Sequence, residues 1–247
     1  MIPKIIHYCW LSNDPIPEFL KKCMASWKEK LPDYQFYLWN LNRFDIESSK
    51  WVKQAFNAKK YAFAADYIRL YALYNYGGFY LDMDVEILKP FDDLLDLNNA
   101  ICFENSRDKR LEVAAFGVER HSCWVKCCLD EFDKLEFIDK DGHLDTKVLP
   151  MRISNILKEH NISISEAGDV KEVKELESYG KIGVLTFDYF SPKSYGTGKI
   201  EKSLQTYSIH HFSGSWLPLY AKIEKTICQF LGLPYKAVLQ KITEIKL

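Results

Sequence analysis

Two carboxylates in the run YGGFYLDMDVEI, Asp82 and Asp84, stand two residues apart at the end of an alternating apolar stretch. Carboxylate oxygens are hard ligands suited to Mg²⁺ or Mn²⁺. Such an ion can bridge protein carboxylates to a pyrophosphate and neutralise charge on a departing phosphate. An isolated Asp-Xaa-Asp is more often a solvated turn, so the surroundings must single this one out. A hydrophobic strand leads into it, Gly77-Gly78 precede the strand, and Asp66 and Arg69 stand three apart on the helix before that. Alone, a helix-face pair of that spacing contributes only about 0.3–0.5 kcal/mol.

The elements that deliver these groups are legible. Residues 61–76 contain no Gly or Pro, and Ala62, Ala65, Leu73 and Tyr76 recur near helical spacing. Gly77-Gly78 is a helix stop. Residues 79–87 then read as one strand, with Phe79, Leu81, Met83, Val85 and Ile87 on one face and Tyr80, Asp82, Asp84 and Glu86 on the other. Asp84 is expected as a solvated strand-end carboxylate. Upstream, residues 2–10 predict a first strand, 17–30 a helix, 34–39 a second strand and 49–57 a helix. Alternating strands and helices predict an α/β fold with a mostly parallel central sheet flanked by helices. Ligands collect at the carboxyl ends of such strands, where Trp10 and Asp82 both fall. Downstream, strands are expected near 100–104, 112–117, 183–187 and 206–212, and helices at 122–135, 148–160 and 219–231. Residues 171–177 read as a charged, solvated segment, and 191–199 as a flexible loop whose Ser, Gly and Lys residues could cover a phosphate.

Composition narrows the classes. The chain has 247 residues, 47% hydrophobic and 27% charged, which suits one globular domain with a helical tail at 219–247. A net charge of −1 gives no bulk electrostatic case for nucleic acid. Seven cysteines without a Cys-Xaa-Xaa-Cys pair predict free thiols in a reducing compartment, with Cys9, Cys23, Cys102 and Cys228 in apolar surroundings. No stretch is apolar for 18 residues, and Pro3, Lys4 and His7 interrupt any leader-like run. The expected location is cytoplasmic. The tail sets Lys222, Lys225, Lys236, Lys241 and Lys246 among apolar residues, a pattern that can lie on an anionic inner membrane face or pack on the domain with solvated lysines.

Three blocks, IPKIIHYCW, AADYIRLYALYNYGGFYLDMDV and YSIHHFSGSW, resemble glycosyltransferase family 32. That family includes capsular polysaccharide enzymes of bacteria and outer-chain mannosyltransferases of yeast, and the large clostridial glucosylating toxins have a similar core. The capsule-type enzymes are the nearer match. The resemblance implies a GT-A fold, a UDP- or GDP-sugar donor, Mn²⁺ or Mg²⁺, a saccharide or lipid-linked oligosaccharide acceptor, and retention of anomeric configuration. It implies that Trp10 stacks on the base, that Asp66 and Arg69 hold sugar hydroxyls, and that Tyr80 and Asp82 contact ribose or sugar. Asp84 would be the direct metal ligand, with Asp82 beside it. The segment His210-His211-Phe212-Ser213-Gly214-Ser215-Trp216 would close over the diphosphate. The run Glu112-Val113-Ala114-Ala115-Phe116 departs from the family in lacking an Asn.

A second protein ligand to the metal is chemically reasonable, and His suits Mn²⁺ better than Mg²⁺. Neighbours in a strand face opposite ways, so only one of His210 and His211 can look into the site. Spacing to Trp216 favours His211 as ligand and leaves His210 as a buried structural residue. Ser213, Ser215 and Trp216 are expected to offer hydroxyl and indole donors to the diphosphate. Two other classes use similar parts: a sugar nucleotidyltransferase and a non-catalytic carbohydrate- or nucleotide-binding module. The first would need a basic glycine-rich loop where Leu11-Ser12-Asn13 stands, and intact Asp82, Asp84, Arg69 and Trp216 argue against the second.

Overall fold

The computed structural model describes residues 1–107, 109–214, 217–231 and 235. In chain order the elements are β1 (Ile5–Cys9), α1 (Glu18–Lys30), β2 (Gln35–Trp39), α2 (Lys50–Asn57), α3 (Tyr61–Tyr76), β3 (Gly78–Leu81), β4 (Val85–Ile87) and β5 (Asn99–Ala100). There follow β6 (Ala115–Val118), α4 (Cys123–Phe132), α5 (Leu149–Glu159), β7 (Ile164–Ala167), α6 (Val170–Ser178), β8 (Ile182–Leu185), β9 (Ser208–His210) and α7 (Leu219–Phe230). The central sheet has the order β2-β1-β3-β6-β5. β1 pairs in parallel with β2 and β3, and β6 runs antiparallel to both β3 and β5. The sheet is mostly parallel and carries helices on both faces. One face packs Trp39, Tyr80 and Phe116 with Val52, Ile68 and Ile153 from α2, α3 and α5. The other packs Ile6, Phe79 and Leu81 with Leu20 and Trp27 of α1 and Val173 of α6.

α3 is the central helix. Phe63, Ala64, Ala65, Tyr67, Ile68, Arg69, Leu70, Ala72 and Leu73 are all buried, so both its sheet face and its helix-facing side are covered. It stops at Gly77, whose φ of 65° is the left-handed conformation that glycine accepts without a Cβ penalty. His7 of β1 fastens this stop. Its Nε2 lies 2.8 Å from the Gly77 carbonyl oxygen, and Trp39 Nε1 lies 3.1 Å from its Nδ1. A carbonyl only accepts and an indole N–H only donates. The imidazole is therefore neutral, with its proton on Nε2, and burial pushes its pKa down to about 4.

The structure departs from the sequence reading at several places. Residues 79–87 are not one strand. The chain turns at Asp82–Asp84, closed by the Val85 N–H donating to the Asp82 carbonyl at 2.9 Å. β3 stays in the central sheet, while β4 pairs with β9 in a separate ribbon. Trp27 Nε1 of α1 holds the Val85 carbonyl at 2.6 Å, and Ser26 Oγ accepts from Ile87 N at 2.9 Å. Those bonds give β4 a partner other than the sheet. The charged segment 171–177 is largely exposed, as expected, but it is helical: it lies within α6, which buries Val173 and is capped by Asp169 accepting from Glu172 N. The loop 191–199 is a braced turn, with Ser194 N donating to the Lys199 carbonyl and Gln229 Nε2 of α7 holding the Tyr195 carbonyl at 3.0 Å.

Gly78 is the tightest of the two glycines that launch β3. At its φ of 101°, an added Cβ would stand 2.5 Å from the Ile5 carbonyl oxygen. That oxygen belongs to the backbone of β1 and cannot swing aside. Gly78→Ala is expected to lower unfolding stability by roughly 1–3 kcal/mol or more, measured by urea denaturation. A variant as stable as the parent would show that β1 and β3 are not held at this spacing.

Candidate active site

The turn between β3 and β4 brings Asp82 and Asp84 to the carboxyl end of the sheet. Beneath them lies Arg69, 5% exposed. Its Nη2 stands 3.1 Å from Asp66 Oδ1 and 3.4 Å from Asp82 Oδ1, and its Nη1 donates to the Val113 carbonyl at 2.7 Å. The guanidinium also lies over the Tyr80 ring, 4.5 Å from its centroid. Tyr80 Oη in turn donates to Asp82 Oδ1 at 3.1 Å. Burial pushes the Asp66 carboxyl up to about 7, against the pull of Arg69. Burial raises Asp82 too, again opposed by Arg69. The guanidinium thus opposes the loss of charge at both carboxyls, Asp66 nearly enclosed and Asp82 partly exposed.

Asp84 corrects an expectation. It is 7% exposed and not a solvated strand-end group. Its Oδ2 accepts the backbone N–H of Ser213 at 2.6 Å, and its carbonyl accepts from His211 N at 3.1 Å. Antiparallel pairing of β4 with β9 sets Val85 opposite His210. That register decides which histidine faces the carboxylates. One ligand atom from each of Asp82, Asp84 and His210 lies within 4.8 Å of the others. His210 Nε2 is 3.7 Å from Asp84 Oδ1. His211, the residue that spacing favoured, points the other way. Its Nε2 pairs with Glu86 Oε2 at 2.9 Å, and its ring meets Phe19 edge-on. The expected strand at 206–212 ends at His210 because Phe212 takes a left-handed φ of 53°. That kink faces the Ser213 N–H toward Asp84. Ser213 therefore meets the site through its backbone; Ser215 and Trp216 lie outside the described residues.

Sequence reasoning missed Glu112, although the run it opens is where the chain departs from the family it resembles. Glu112 is 2% exposed, accepts from Ala114 N at 2.7 Å and lies 3.3 Å from His210 Nδ1. Burial opposes charge on both partners, yet the neighbouring carboxylates Glu112 and Asp84 carry His210 up to about 9, and His210 holds Glu112 below its usual range. A carboxylate on one ring nitrogen with the other aimed at a cluster is the arrangement that orients metal-binding histidines. Two carboxylate oxygens and an oriented imidazole fit Mn²⁺ better than an all-oxygen Mg²⁺ site.

The remaining expected residues are placed as follows. Trp10 follows β1 and is half-buried; its Nε1 donates to the Asp14 carbonyl at 3.0 Å. It stands at the same end of the sheet as Asp82, since β1 pairs His7 with Tyr80. Cys9 is not simply in apolar surroundings, because Tyr80, Arg69 and Asp82 act on its thiol. Burial pushes that thiol up to about 12, which removes it as a nucleophile. Lys225, expected either against an anionic surface or solvated on a packed helix, is 7% exposed and turned inward. The outward side of α7 is apolar instead: Leu219 is 73% exposed, Phe230 88% and Ile223 and Ile227 52% each. The tail lysines Lys236, Lys241 and Lys246 lie outside the described residues. No helix among the described residues is long and apolar enough to cross a membrane.

Comparison with known proteins finds matches over part of the chain. Residues 17–101 match the family described as glycosyltransferase sugar-binding region containing DXD motif. That span holds Asp66, Arg69, Tyr80, Asp82 and Asp84, and stops short of Glu112 and His210. Inositol phosphoceramide mannosyltransferase 3 of Schizosaccharomyces pombe is 37% identical over 98 residues, covering 38% of this chain and 27% of that protein. Mannosyl phosphorylinositol ceramide synthase SUR1 of Saccharomyces cerevisiae is 36% identical over 144 residues, covering 56% of this chain and 37% of that protein. The chain thus matches between about a quarter and two fifths of the length of these fungal relatives. The solved structure of the PaToxG glycosyltransferase superposes with a TM-score of 0.51 at 19% identity, over 64% of this chain and 70% of that one. Residues 17–101 therefore match a glycosyltransferase sugar-binding region containing DXD motif, and the α/β fold around them is similar to that of a solved glycosyltransferase.

Proposed function

We propose that the protein transfers a hexose from a UDP- or GDP-sugar to a hydroxyl of a saccharide or glycolipid acceptor, with retention of configuration. The observation that carries this reading is the convergence of Asp82, Asp84 and His210 beside the buried Asp66–Arg69 pair. Asp82, Asp84 and His210 would hold a divalent cation, Mn²⁺ by the donor set. When bound, that ion supplies positive charge to the leaving diphosphate. The names of the fungal relatives support a mannosyl donor and a lipid-borne acceptor over a capsular polysaccharide.

The chain's own residues divide the work. Asp66 and Asp82 present carboxyl oxygens to sugar and ribose hydroxyls. Arg69 is a positioning residue, since it lies under them and fixes Asp82 and Tyr80. Trp10 offers an aromatic face to the base, an interaction worth roughly 1–3 kcal/mol in nucleic-acid systems. Glu112 orients His210. In the transfer, the bond from the anomeric carbon to the β-phosphate oxygen breaks and its electrons leave with the diphosphate. The acceptor hydroxyl bonds to the same face, and its proton passes to the departing phosphate oxygen. No side chain is needed as nucleophile, in agreement with the raised Cys9 thiol.

Incubation with a panel of UDP- and GDP-sugars tests the reading. Release of one nucleoside diphosphate is expected in Mn²⁺ and none in excess EDTA. His210→Ala is expected to raise the Mn²⁺ concentration for half-maximal release, and to weaken Mn²⁺ binding read by electron paramagnetic resonance, by roughly tenfold or more. His211→Ala is expected to leave both unchanged. Absence of release across the panel from folded protein contradicts the transferase. A metal effect from His211→Ala alone would reverse the histidine assignment.

The outward face of α7 supports a place for the acceptor. Leu219, Tyr220, Ile223, Ile227 and Phe230 form an exposed apolar side on an amphipathic helix, and lysines recur through the tail. This face lies on an anionic lipid surface, in the manner of an interfacial helix, and brings the site to a lipid-linked acceptor. Sedimentation with phosphatidylserine-containing vesicles is expected to carry down the parent protein and not the Ile223→Ser/Ile227→Ser variant. Equal recovery of both in the pellet removes α7 from membrane contact.

A further inference from the structure

Two lysines converge on the backbone of the segment that ends the site. Lys193, in the braced turn before β9, donates from Nζ to the His211 carbonyl at 3.1 Å. Lys225, on the inward side of α7, donates from Nζ to the Phe212 carbonyl at 2.5 Å. The two carbonyls are consecutive, and the next residue, Ser213, gives its N–H to Asp84. The ammonium groups are close enough to repel each other, and Asp84 attracts both. Burial, the largest effect on each, holds both below the usual lysine range, Lys225 at about 8.

Their surroundings are unusual for buried charge. Among the described residues neither forms an ion pair with a carboxylate at contact distance. Lys225 sits over the rings of Tyr195 and Phe212, 4.3 and 5.9 Å from their centroids. Cation–π contact and one carbonyl satisfy part of an ammonium with three donors. A lysine as buried as Lys225 seldom lacks a paired anion. A fold that needed only to brace residues 211–213 could do so with neutral donors and avoid one buried and one half-buried charge that repel. The counter-charge that suits two cations beside a carboxylate cluster is a polyanion with its own affinity for that cluster.

We propose that Lys193 and Lys225 supply the protein's positive charge to the diphosphate of the donor, and so select nucleoside diphosphates over monophosphates. The inference rests on the transferase reading and names the groups that recognise its leaving group. Lys193, half-buried, acts by contact through its remaining N–H donors. Lys225 acts as a fixed charge beneath the turn. Lysine suits this task as a point charge that can meet either phosphate.

The test is equilibrium binding of UDP, GDP, UMP and GMP at saturating Mn²⁺ to the full chain and to Lys193→Met, Lys193→Arg and Lys225→Met. Each Met variant is expected to lose roughly tenfold in affinity for whichever nucleoside diphosphate the parent binds, the scale of one charge-assisted contact. Affinity for the matching monophosphate is expected to change far less, and Lys193→Arg is expected to recover most of the loss. Mn²⁺ binding without nucleotide is expected to be no weaker in any variant. The melting temperature of Lys225→Met is expected to hold or rise, since a buried charge is replaced by an apolar chain. Unchanged diphosphate affinity in both Met variants overturns the proposal while leaving the transferase standing. Equal losses for diphosphate and monophosphate, with a lowered melting temperature, make the lysines braces of the backbone and overturn it too. A parent protein that binds neither UDP nor GDP overturns the transferase reading, and this inference with it.

Discussion

A buried guanidinium sets the terms for the rest of the site. Taking Arg69 out of water costs several kcal/mol unless its charge and its N–H donors are met. They are met by Asp66 from the same helix, by Asp82 from the turn after β3, and by the Val113 carbonyl from the approach to β6. Those three elements cannot shift independently without leaving the charge uncompensated. The glycine stop depends on the same order, because α3 must end at Gly77 for β3 to begin where Asp82 reaches Arg69. His7, neutral and bonded to the Gly77 carbonyl, ties that stop to the neighbouring strand.

A second junction completes the constellation from the other end of the chain. Asp84 accepts from Ser213, and His210 lies between Asp84 and Glu112. Four carboxylates, Asp66, Asp82, Asp84 and Glu112, stand against Arg69, Lys193, Lys225 and a protonated His210. A metal-binding imidazole must be neutral, so loading a divalent ion exchanges one positive charge for two. On the transferase reading, that added charge would favour the diphosphate of the donor.

What the sequence discloses here is what local pattern determines. The span 61–76, its glycine stop and the carboxylates beyond follow from helical spacing, from φ > 0 at a glycine, and from residue type. Residues 79–87 misled because strict alternation has the same signature in one strand as in two strands joined by a tight turn. The bonds from Ser26 and Trp27 that draw β4 away come from α1, far off in sequence. The choice between His210 and His211 turned on the register of β9 against β4, and a one-residue shift reverses every side chain. Glu112 and the inward turn of Lys225 are illegible for a related reason. Each is ordinary in its own neighbourhood and gains meaning only from a partner in another part of the chain.

The central claim is that Asp82, Asp84 and His210 form one metal site and that His211 stands outside it. Anomalous X-ray diffraction from crystals grown with Mn²⁺ and a nucleoside diphosphate tests it most directly. The account predicts a single strong manganese peak at about 2.0–2.3 Å from an Asp84 oxygen and from His210 Nε2, with the diphosphate on its open side. A peak bonded to His211, or nucleotide bound with no manganese at Asp84, would contradict it.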